Sequence, residues 1–296
     1  MDTETTLSNS FVKEIGAAVS IWAHKNRGLE VTAENVFQEG DGEIKELMDT
    51  TLCSALVLPD SGISGIENLI ALMDKAKEGA SCLLLMEHYS NLDLPSFSWL
   101  LRHGSQGRSS EGKEIDDALV AIAGVKLSED SPPVAALTSG YTRLVIYPSR
   151  SVKNLHGADE SVKHPELMKA ISINRAAMKT LNQLKHTKKI VLIFPSGTRY
   201  RPWEPDTKKG IREIDSYIKS FDYMCMASIN GNCLLVNRNN MQDDVCRKDT
   251  IKINVGPLLA CADFRNKALE NIAEDEDRKQ RSVDAVMAYL DMLHNE

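Results

Sequence analysis

The apolar positions of the amino-terminal third recur at helical spacing. Phe11, Ile15, Val19 and Trp22, for example, would share one face of a helix. The turn sequence Pro59-Asp60-Ser61-Gly62 interrupts the pattern. The helices that this spacing predicts are 8–26, 42–58 and 65–78.

From residue 81 the pattern changes to short apolar runs bounded by turn residues, which are typical of buried strands. The predicted strands are 81–86, 119–125, 144–147, 190–194, 224–229, 233–236 and 251–255. Further predicted helices are 94–102, 165–185, 211–220 and 262–294. Strands that alternate with helices predict an α/β fold, a mixed sheet flanked by helices on both faces. We expect a small helical amino-terminal domain, residues 1–58, before an α/β domain, residues 59–296.

Polar residues follow two of the predicted strands. His88 comes just after the strand 81–86, and the sequence Pro195-Ser-Gly-Thr-Arg199 follows the strand 190–194. Ligands of α/β sheets bind outside the carboxyl ends of the strands. We therefore expect both segments on one rim of the sheet.

His88 and Asp93 have a structural and a catalytic interpretation. Asp93 precedes Leu94 and Pro95, which is typical of a residue that caps a helix, and a lone histidine is more often structural than catalytic. The same spacing suits a general base whose ring is held by a carboxylate. The two interpretations are compatible, because a capping carboxylate can also accept from the ring.

Arg199 and Arg201 would point the same way in an extended chain, and paired guanidinium groups suit the oxygens of a phosphate. Gly197 would let backbone N–H groups approach an anion closely. Arg150 and Lys153, where the strand 144–147 ends, could complete an anion pocket. The alternative for the segment 195–201 is an ordinary turn with surface arginines. For Arg150 and Lys153 the alternative is an ordinary surface position.

The charge distribution supports a local anion site. The net charge is −7, yet residues 143–213 contain 15 Lys and Arg against 6 Asp and Glu. A solvated basic helix could account for part of this excess. Aromatic residues make up 5% of the chain, too few for a platform that stacks nucleic-acid bases, so we expect no nucleic-acid partner.

Other site chemistries find little support in the sequence. The six cysteines form no C-x-x-C pair, and no two histidines stand at metal-ligand spacing, so we expect neither a metal nor another cofactor. No phosphate loop or nucleophile elbow occurs. The chain has no long apolar segment and no signal peptide, which predicts a cytoplasmic protein, or a stromal one if its source has plastids.

Two motifs resemble those of the glycerol-3-phosphate and lysophosphatidate acyltransferase family. His88-Tyr-Ser-Asn-Leu-Asp93 is similar to its H-x-x-x-x-D motif, and Phe194-Pro-Ser-Gly-Thr-Arg199, about 105 residues later, is similar to F-P-E-G-T-R. The resemblance covers roughly residues 65–260. It is closest to the soluble plastid-type glycerol-3-phosphate acyltransferases, which carry a helical amino-terminal domain and the sequence R-x-R-P, matched here by 199–202.

The chain departs from these relatives at three places. Ser196 stands where most lysophosphatidate enzymes have glutamate, which favours the glycerol 3-phosphate acceptor. The Lys-His pair that follows the middle strand in plastid-type enzymes is missing, and Arg150 and Lys153 fall near its position. The late proline-rich motif is weak, since residues 226–229 read Met-Ala-Ser-Ile.

The resemblance implies a glycerol-3-phosphate 1-O-acyltransferase of phospholipid synthesis. His88, oriented by Asp93, would take the proton of the 1-hydroxyl, which attacks the thioester of acyl-CoA or acyl-carrier protein. Arg199 and Arg201, with Arg150 or Lys153, would hold the phosphate. The amphiphilic product implies contact with a membrane surface.

Three alternatives remain open at this stage. The acceptor could be 1-acylglycerol 3-phosphate, acylated at its 2-hydroxyl. The chain could be a hydrolase that uses His88 on water, or a binding protein without activity.

Overall fold

The computed structural model describes residues 30–129, 132–153, 159–239 and 244–296, together with Gly16, Ser20, Ile21, His24 and Lys25. Most of the predicted helix 8–26 lies outside the described residues. Within them, the chain is α/β with a mixed sheet, as the alternation of strands and helices predicts.

The strands are mostly short, and the longest has eight residues. In chain order they are β1 (Phe37–Gln38), β2 (Gly62–Ser64), β3 (Cys82–Met86), β4 (Leu119–Gly124), β5 (Arg143–Ile146), β6 (Ile190–Ile193), β7 (Tyr223–Asn230), β8 (Leu234–Leu235), β9 (Val245–Cys246), β10 (Lys252–Val255) and β11 (Leu259–Ala260). Each of the predicted strands in 81–255 overlaps one of them. Because β1, β2, β9 and β11 have only two or three residues, no apolar run marked them in the sequence.

The helices connect these strands. They are α1 (Gly42–Leu47), α2 (Ser54–Leu56), α3 (Ile66–Lys77), α4 (Asp93–His103), α5 (Ser109–Ala118), α6 (Lys126–Glu129), α7 (Pro132–Ser139), α8 (Ser149–Lys153), α9 (Glu160–Leu184), α10 (Ile214–Ser220), α11 (Cys261–Ala268) and α12 (Arg278–His294). A π-helical turn, Met48–Cys53, joins α1 to α2. A 3₁₀ turn, Pro205–Lys208, follows the second motif.

The chain divides into two compact units. Among the described residues, 49–119 and 185–296 form the first unit, and the others belong to the second. The division predicted near residue 58 stays a prediction.

In the first unit the strand order is β6-β3-β7-β10-β2, and β11 pairs with β7. β6, β3 and β7 run parallel, whereas β10 is antiparallel to β7. All five residues of β3 are buried, which agrees with its unbroken apolar sequence. Because β3 and β6 are parallel and in register, their carboxyl ends lie side by side.

Helices cover both faces of β7. Successive side chains of a strand point to opposite faces. Cys225 contacts the carbonyl of Asn68 in α3 through its Sγ atom, and Asn230 donates to the carbonyl of His294 in α12. Since these two residues of β7 differ by an odd number, α3 and α12 lie on opposite sides of the strand.

Helix α4, which begins at Asp93, is anchored through Arg102. The Arg102 guanidinium donates to both carboxylate oxygens of Asp49, at 2.5 and 2.8 Å, and its Nε lies 2.9 Å from Asp116 in α5. All three side chains are largely buried, so the loss of one partner would leave an uncompensated buried charge. This network anchors the helix whose first residue, Asp93, is the last residue of the first motif.

In the second unit the strand order is β1-β5-β4, with β1 antiparallel and β4 parallel to β5. The end of β5 is tied to α9, because Asn174 both accepts from the N–H of Tyr147 and donates to its carbonyl, at 2.8 and 2.9 Å. Asp159 caps α9 by accepting from Ser161. Helix α9 therefore begins before Pro165, five residues earlier than the proline alone predicts.

The predicted carboxyl-terminal helix 262–294 is wrong in one respect. It is two helices, α11 and α12, separated by residues 269–277. Asn271 adopts a left-handed conformation with φ +56°, which an α-helix does not accommodate. Asp277 then caps α12 by accepting from the N–H groups of Lys279 and Gln280. Over the described part of the chain, no helix has both the length and the apolar composition needed to cross a membrane.

Candidate functional site

The Asp93 carboxylate organises the loop that follows β3. It is buried, and it accepts from the N–H groups of Tyr89 and Ser90 at 2.6 and 2.8 Å and from the Ser90 hydroxyl at 2.8 Å. Its Oδ2 atom also lies 2.9 Å from Nδ1 of His88. The carboxylate stands in the first turn of α4, where the positive end of the helix dipole stabilises a negative charge.

The capping interpretation of Asp93 is wrong in detail. Asp93 is the first residue of α4 rather than the residue before it, and Leu92, at the cap position, makes no side-chain cap. The Asp93 contacts given above run backwards to residues 88–90. The carboxylate thus holds the loop and the histidine ring.

His88 is positioned on three sides. Its ring faces Asp93 through Nδ1 and stacks on Phe194 with a centroid separation of 4.0 Å. Its backbone carbonyl accepts from the N–H of Tyr200 at 2.8 Å. Because an ionised carboxylate only accepts, Nδ1 carries the proton, and Nε2 of a neutral ring is left with a lone pair. Among the described residues, no polar partner faces Nε2. The side chain keeps 14% of its surface exposed.

The two motifs therefore meet at the carboxyl ends of β3 and β6, as their sequence positions predict. Phe194 and Tyr200, which bracket the second motif, make direct contact with His88. Gly197 has φ +64°, a left-handed conformation, and its N–H donates to the carbonyl of Phe194 in a tight turn. This turn brings the chain back towards His88. Glycine is favoured at its centre because glycine adopts a positive φ without strain.

Arg199 forms an internal ion pair with Asp244. Its guanidinium donates to the Asp244 carboxylate, and both side chains are almost fully buried. The other oxygen of Asp244 accepts from the N–H of Asn237 at 2.8 Å. The positive charge of Arg199 is therefore paired with the negative charge of Asp244, and the predicted contact of Arg199 with a phosphate stays a prediction.

Arg201 is more accessible than Arg199. Its guanidinium lies 3.2 Å from Glu204 and 3.5 Å from the Thr198 hydroxyl, and 32% of the side chain is exposed. Glu204 is itself 56% exposed, so the pair is screened by solvent and is weak. A phosphate could displace Glu204 from Arg201 at small cost.

Arg150 and Lys153 belong to the second unit, in α8, the helix after β5. Arg150 is exposed. Their part in binding a phosphate stays a prediction.

Arg143, which immediately precedes the predicted strand 144–147, is the first residue of β5 and is buried. It donates to Gln38 at 2.7 Å and to Thr138 at 2.5 Å, and burial lowers its pKa to about 10. Arg143 is thus an internal cation with neutral partners.

Sequence reasoning missed several residues around the motifs. Asp244 stands 45 residues after Arg199, and no pattern marks it as the partner of that arginine. Glu87, in contrast, could have been found from the sequence, because an acidic residue directly after a buried apolar run indicates an internal carboxylate. It is buried and contacts Tyr89 and His294, whose part in the site no motif indicates.

No protein-family model matches this chain, and no curated protein matches it. Within the described residues, no three His, Cys, Asp or Glu side chains are grouped to hold a metal ion.

Proposed function

We propose that the protein is a glycerol-3-phosphate 1-O-acyltransferase that forms lysophosphatidate from an acyl thioester. The observation that carries this proposal is the contact between the two motifs. His88 faces Asp93 at 2.9 Å and stacks on Phe194, the first residue of the second motif. A histidine with a buried carboxylate at one nitrogen and a free lone pair at the other is suited to act as a general base.

The reaction needs a proton acceptor, which is His88, and a nucleophile, which is the 1-hydroxyl of the substrate. Nε2 of His88 takes the proton of the 1-hydroxyl while the hydroxyl oxygen attacks the thioester carbonyl. The tetrahedral intermediate then collapses, the C–S bond breaks, and the imidazolium returns its proton to the leaving thiolate. Asp93 stabilises the transient imidazolium and fixes the ring. The enzyme itself is not acylated.

We assign the first contact with the substrate phosphate to Arg201. Its guanidinium is partly exposed and its acidic neighbour Glu204 is weakly held, whereas Arg199 is committed to Asp244. In this assignment Arg199 and Gly197 shape the loop that presents Arg201. The N–H of Tyr200, the neighbour of Arg201, donates to the carbonyl of His88. We therefore propose that a phosphate on Arg201 brings the 1-hydroxyl near His88, which lowers the entropic barrier to attack.

The donor is acyl-CoA or acyl-carrier protein, and the enzyme works in the cytoplasm, or the plastid stroma, in contact with a membrane surface. No metal or further cofactor takes part in the proposed reaction.

The decisive assay compares acceptors. Purified protein is incubated with acyl-CoA or acyl-carrier protein and with glycerol 3-phosphate, with 1-acylglycerol 3-phosphate, or with no acceptor, and the products are separated by mass spectrometry. We expect lysophosphatidate from glycerol 3-phosphate. Phosphatidate from the second acceptor alone would assign the 2-O-acyltransferase instead, and free fatty acid alone would assign a hydrolase.

The phosphate assignment is tested by Arg201→Ala. A charge-assisted hydrogen bond contributes about 1.5–3 kcal/mol, so we expect KM for glycerol 3-phosphate to rise about 10–100-fold, with KM for the acyl donor unchanged. Arg212→Ala is the matched control, because Arg212 is exposed and pairs with Asp277 at 2.9 Å. An equal rise in both KM values would contradict a phosphate contact.

A further inference from the structure

Glu87, which is buried, is the centre of a hydrogen-bond cluster. Its Oε1 accepts from the Tyr89 hydroxyl at 3.0 Å, and its Oε2 accepts from the N–H of Ile229 at 3.0 Å. Nδ1 of His294 lies 2.8 Å from the same Oε2. The three donors come from the loop after β3, from β7 and from the last residue of α12.

The directions of these hydrogen bonds follow from the groups that take part. A buried carboxylate is tolerated only when its oxygens are hydrogen-bonded, and a carboxylate accepts but does not donate. In this cluster we assign Nδ1 of His294 as the donor to Glu87. Burial, reinforced by the charge of Glu87, raises the pKa of Tyr89, so its hydroxyl stays protonated and donates.

The cluster and the His88–Asp93 pair share one residue. The Tyr89 side chain binds Glu87, while the backbone N–H of Tyr89 donates to Oδ2 of Asp93, the oxygen that faces His88. The backbone of residues 87–89 is thus held by contacts to both α4 and α12. The Tyr89 ring also meets Tyr200 edge-on at 5.9 Å, which extends the support to the second motif.

We propose that Glu87, Tyr89 and His294 form a positioning cluster for His88, so that the last turn of α12 is required for efficient proton transfer. The proposal rests on the proposed acyl transfer. None of the three residues touches substrate; they act through the backbone on either side of His88. A displacement of a base by about 1 Å can reduce a rate about 100-fold.

The test compares His294→Ala with His294→Asn. Alanine removes the donor, whereas the Nδ2 of asparagine occupies the place of Nδ1 and can donate to Glu87. Met292→Ala is the control, because Met292 is an exposed residue of the same helical turn. Tyr89→Phe, which removes only one hydroxyl, is a second variant that keeps the ring.

Two readouts separate positioning from simple stability. We expect His294→Ala to lower kcat by up to about 100-fold, with both KM values within about twofold of the parent protein, and Tyr89→Phe to lower kcat in the same sense. His294→Asn recovers most of the rate, and Met292→Ala keeps it. Amide hydrogen exchange, measured without substrate, should accelerate at residues 87–90 in His294→Ala.

Unchanged kcat and unchanged exchange in His294→Ala would overturn the cluster's role. Equal losses in His294→Ala and His294→Asn would also overturn it, because the shape of the side chain, rather than its donor, would then matter. If the parent protein transfers no acyl group, the proposed function fails. The exchange comparison then decides the positioning claim alone, and faster exchange in His294→Ala still supports it.

Discussion

The internal pair of Arg199 and Asp244 gives a prediction that requires no substrate. The two side chains are 8% and 3% exposed, so neither charge is solvated once its partner is removed. Breaking a buried ion pair costs about 3–5 kcal/mol, because the remaining charge stays buried without compensation. We therefore expect Asp244→Asn and Arg199→Met each to reduce the free energy of unfolding by about 3 kcal/mol.

The double variant Arg199→Met/Asp244→Asn carries neither charge. It should lose less than the sum of the single variants, with a coupling energy of about 2 kcal/mol. Asparagine at 244 can still accept from the N–H of Asn237, so the loop keeps that hydrogen bond. The control is Arg281→Met, because Arg281 is exposed and its pair with Glu276 is long, at 3.8 Å, and weak. We expect this variant to change the free energy of unfolding by no more than about 0.5 kcal/mol.

Urea unfolding followed by tryptophan fluorescence measures all four variants. Trp203, two residues after Arg201, reports on the second motif. Single variants within about 0.5 kcal/mol of the parent protein would refute a buried pair, and strictly additive losses would refute a direct contact. Either result would return Arg199 to the role of a free phosphate ligand.

The remaining predictions concern the loops and the thiols. Asp93→Asn should lower kcat about 100–10,000-fold with a loss of about 1–3 kcal/mol in stability, because the amide keeps some loop contacts but not the charge opposite His88; a near-normal rate would contradict this. Gly197→Ala should cost about 1–2 kcal/mol in urea unfolding, since its φ is left-handed and the added Cβ would lie 2.9 Å from Ile211; an unchanged midpoint would argue against this turn. Burial raises the pKa of five thiols to about 12, so stability should fall as pH rises above about 9, where unfolded thiols ionise and buried ones do not. At pH 8 a thiol reagent should modify none of the six free cysteines before unfolding, and rapid modification in the folded protein would contradict their burial.

The sequence predicts the central strands because their side chains are buried on both faces. The runs that became β3 and β6 are apolar throughout, and the histidine and the FPSGTR segment follow them directly. The sequence therefore predicts both segments on one rim of the sheet. That β3 and β6 are neighbouring strands, and that the His88 ring stacks on Phe194, could not be predicted from the sequence.

The partners of the motif residues could not be predicted, because they depend on distant parts of the chain. Asp244 neutralises Arg199 from 45 residues away, and His294 reaches Glu87 from 207 residues away. Local patterns describe which side chains are near a strand end, but only the folded chain determines which charge is already paired. This is why two equivalent arginines in the sequence became one internal and one accessible residue.

The most direct test of the account is the rate of acyl transfer to glycerol 3-phosphate by the parent protein, by His88→Ala and by His103→Ala. His103 is the matched control, because it lies in α4. Its contacts among the described residues are to the carbonyl and the ring of Trp99. We predict lysophosphatidate formation that falls about 100–10,000-fold in His88→Ala, with the fold retained, and that is unchanged in His103→Ala. Near-normal transfer by a folded His88→Ala protein would contradict the assignment of His88 as the general base.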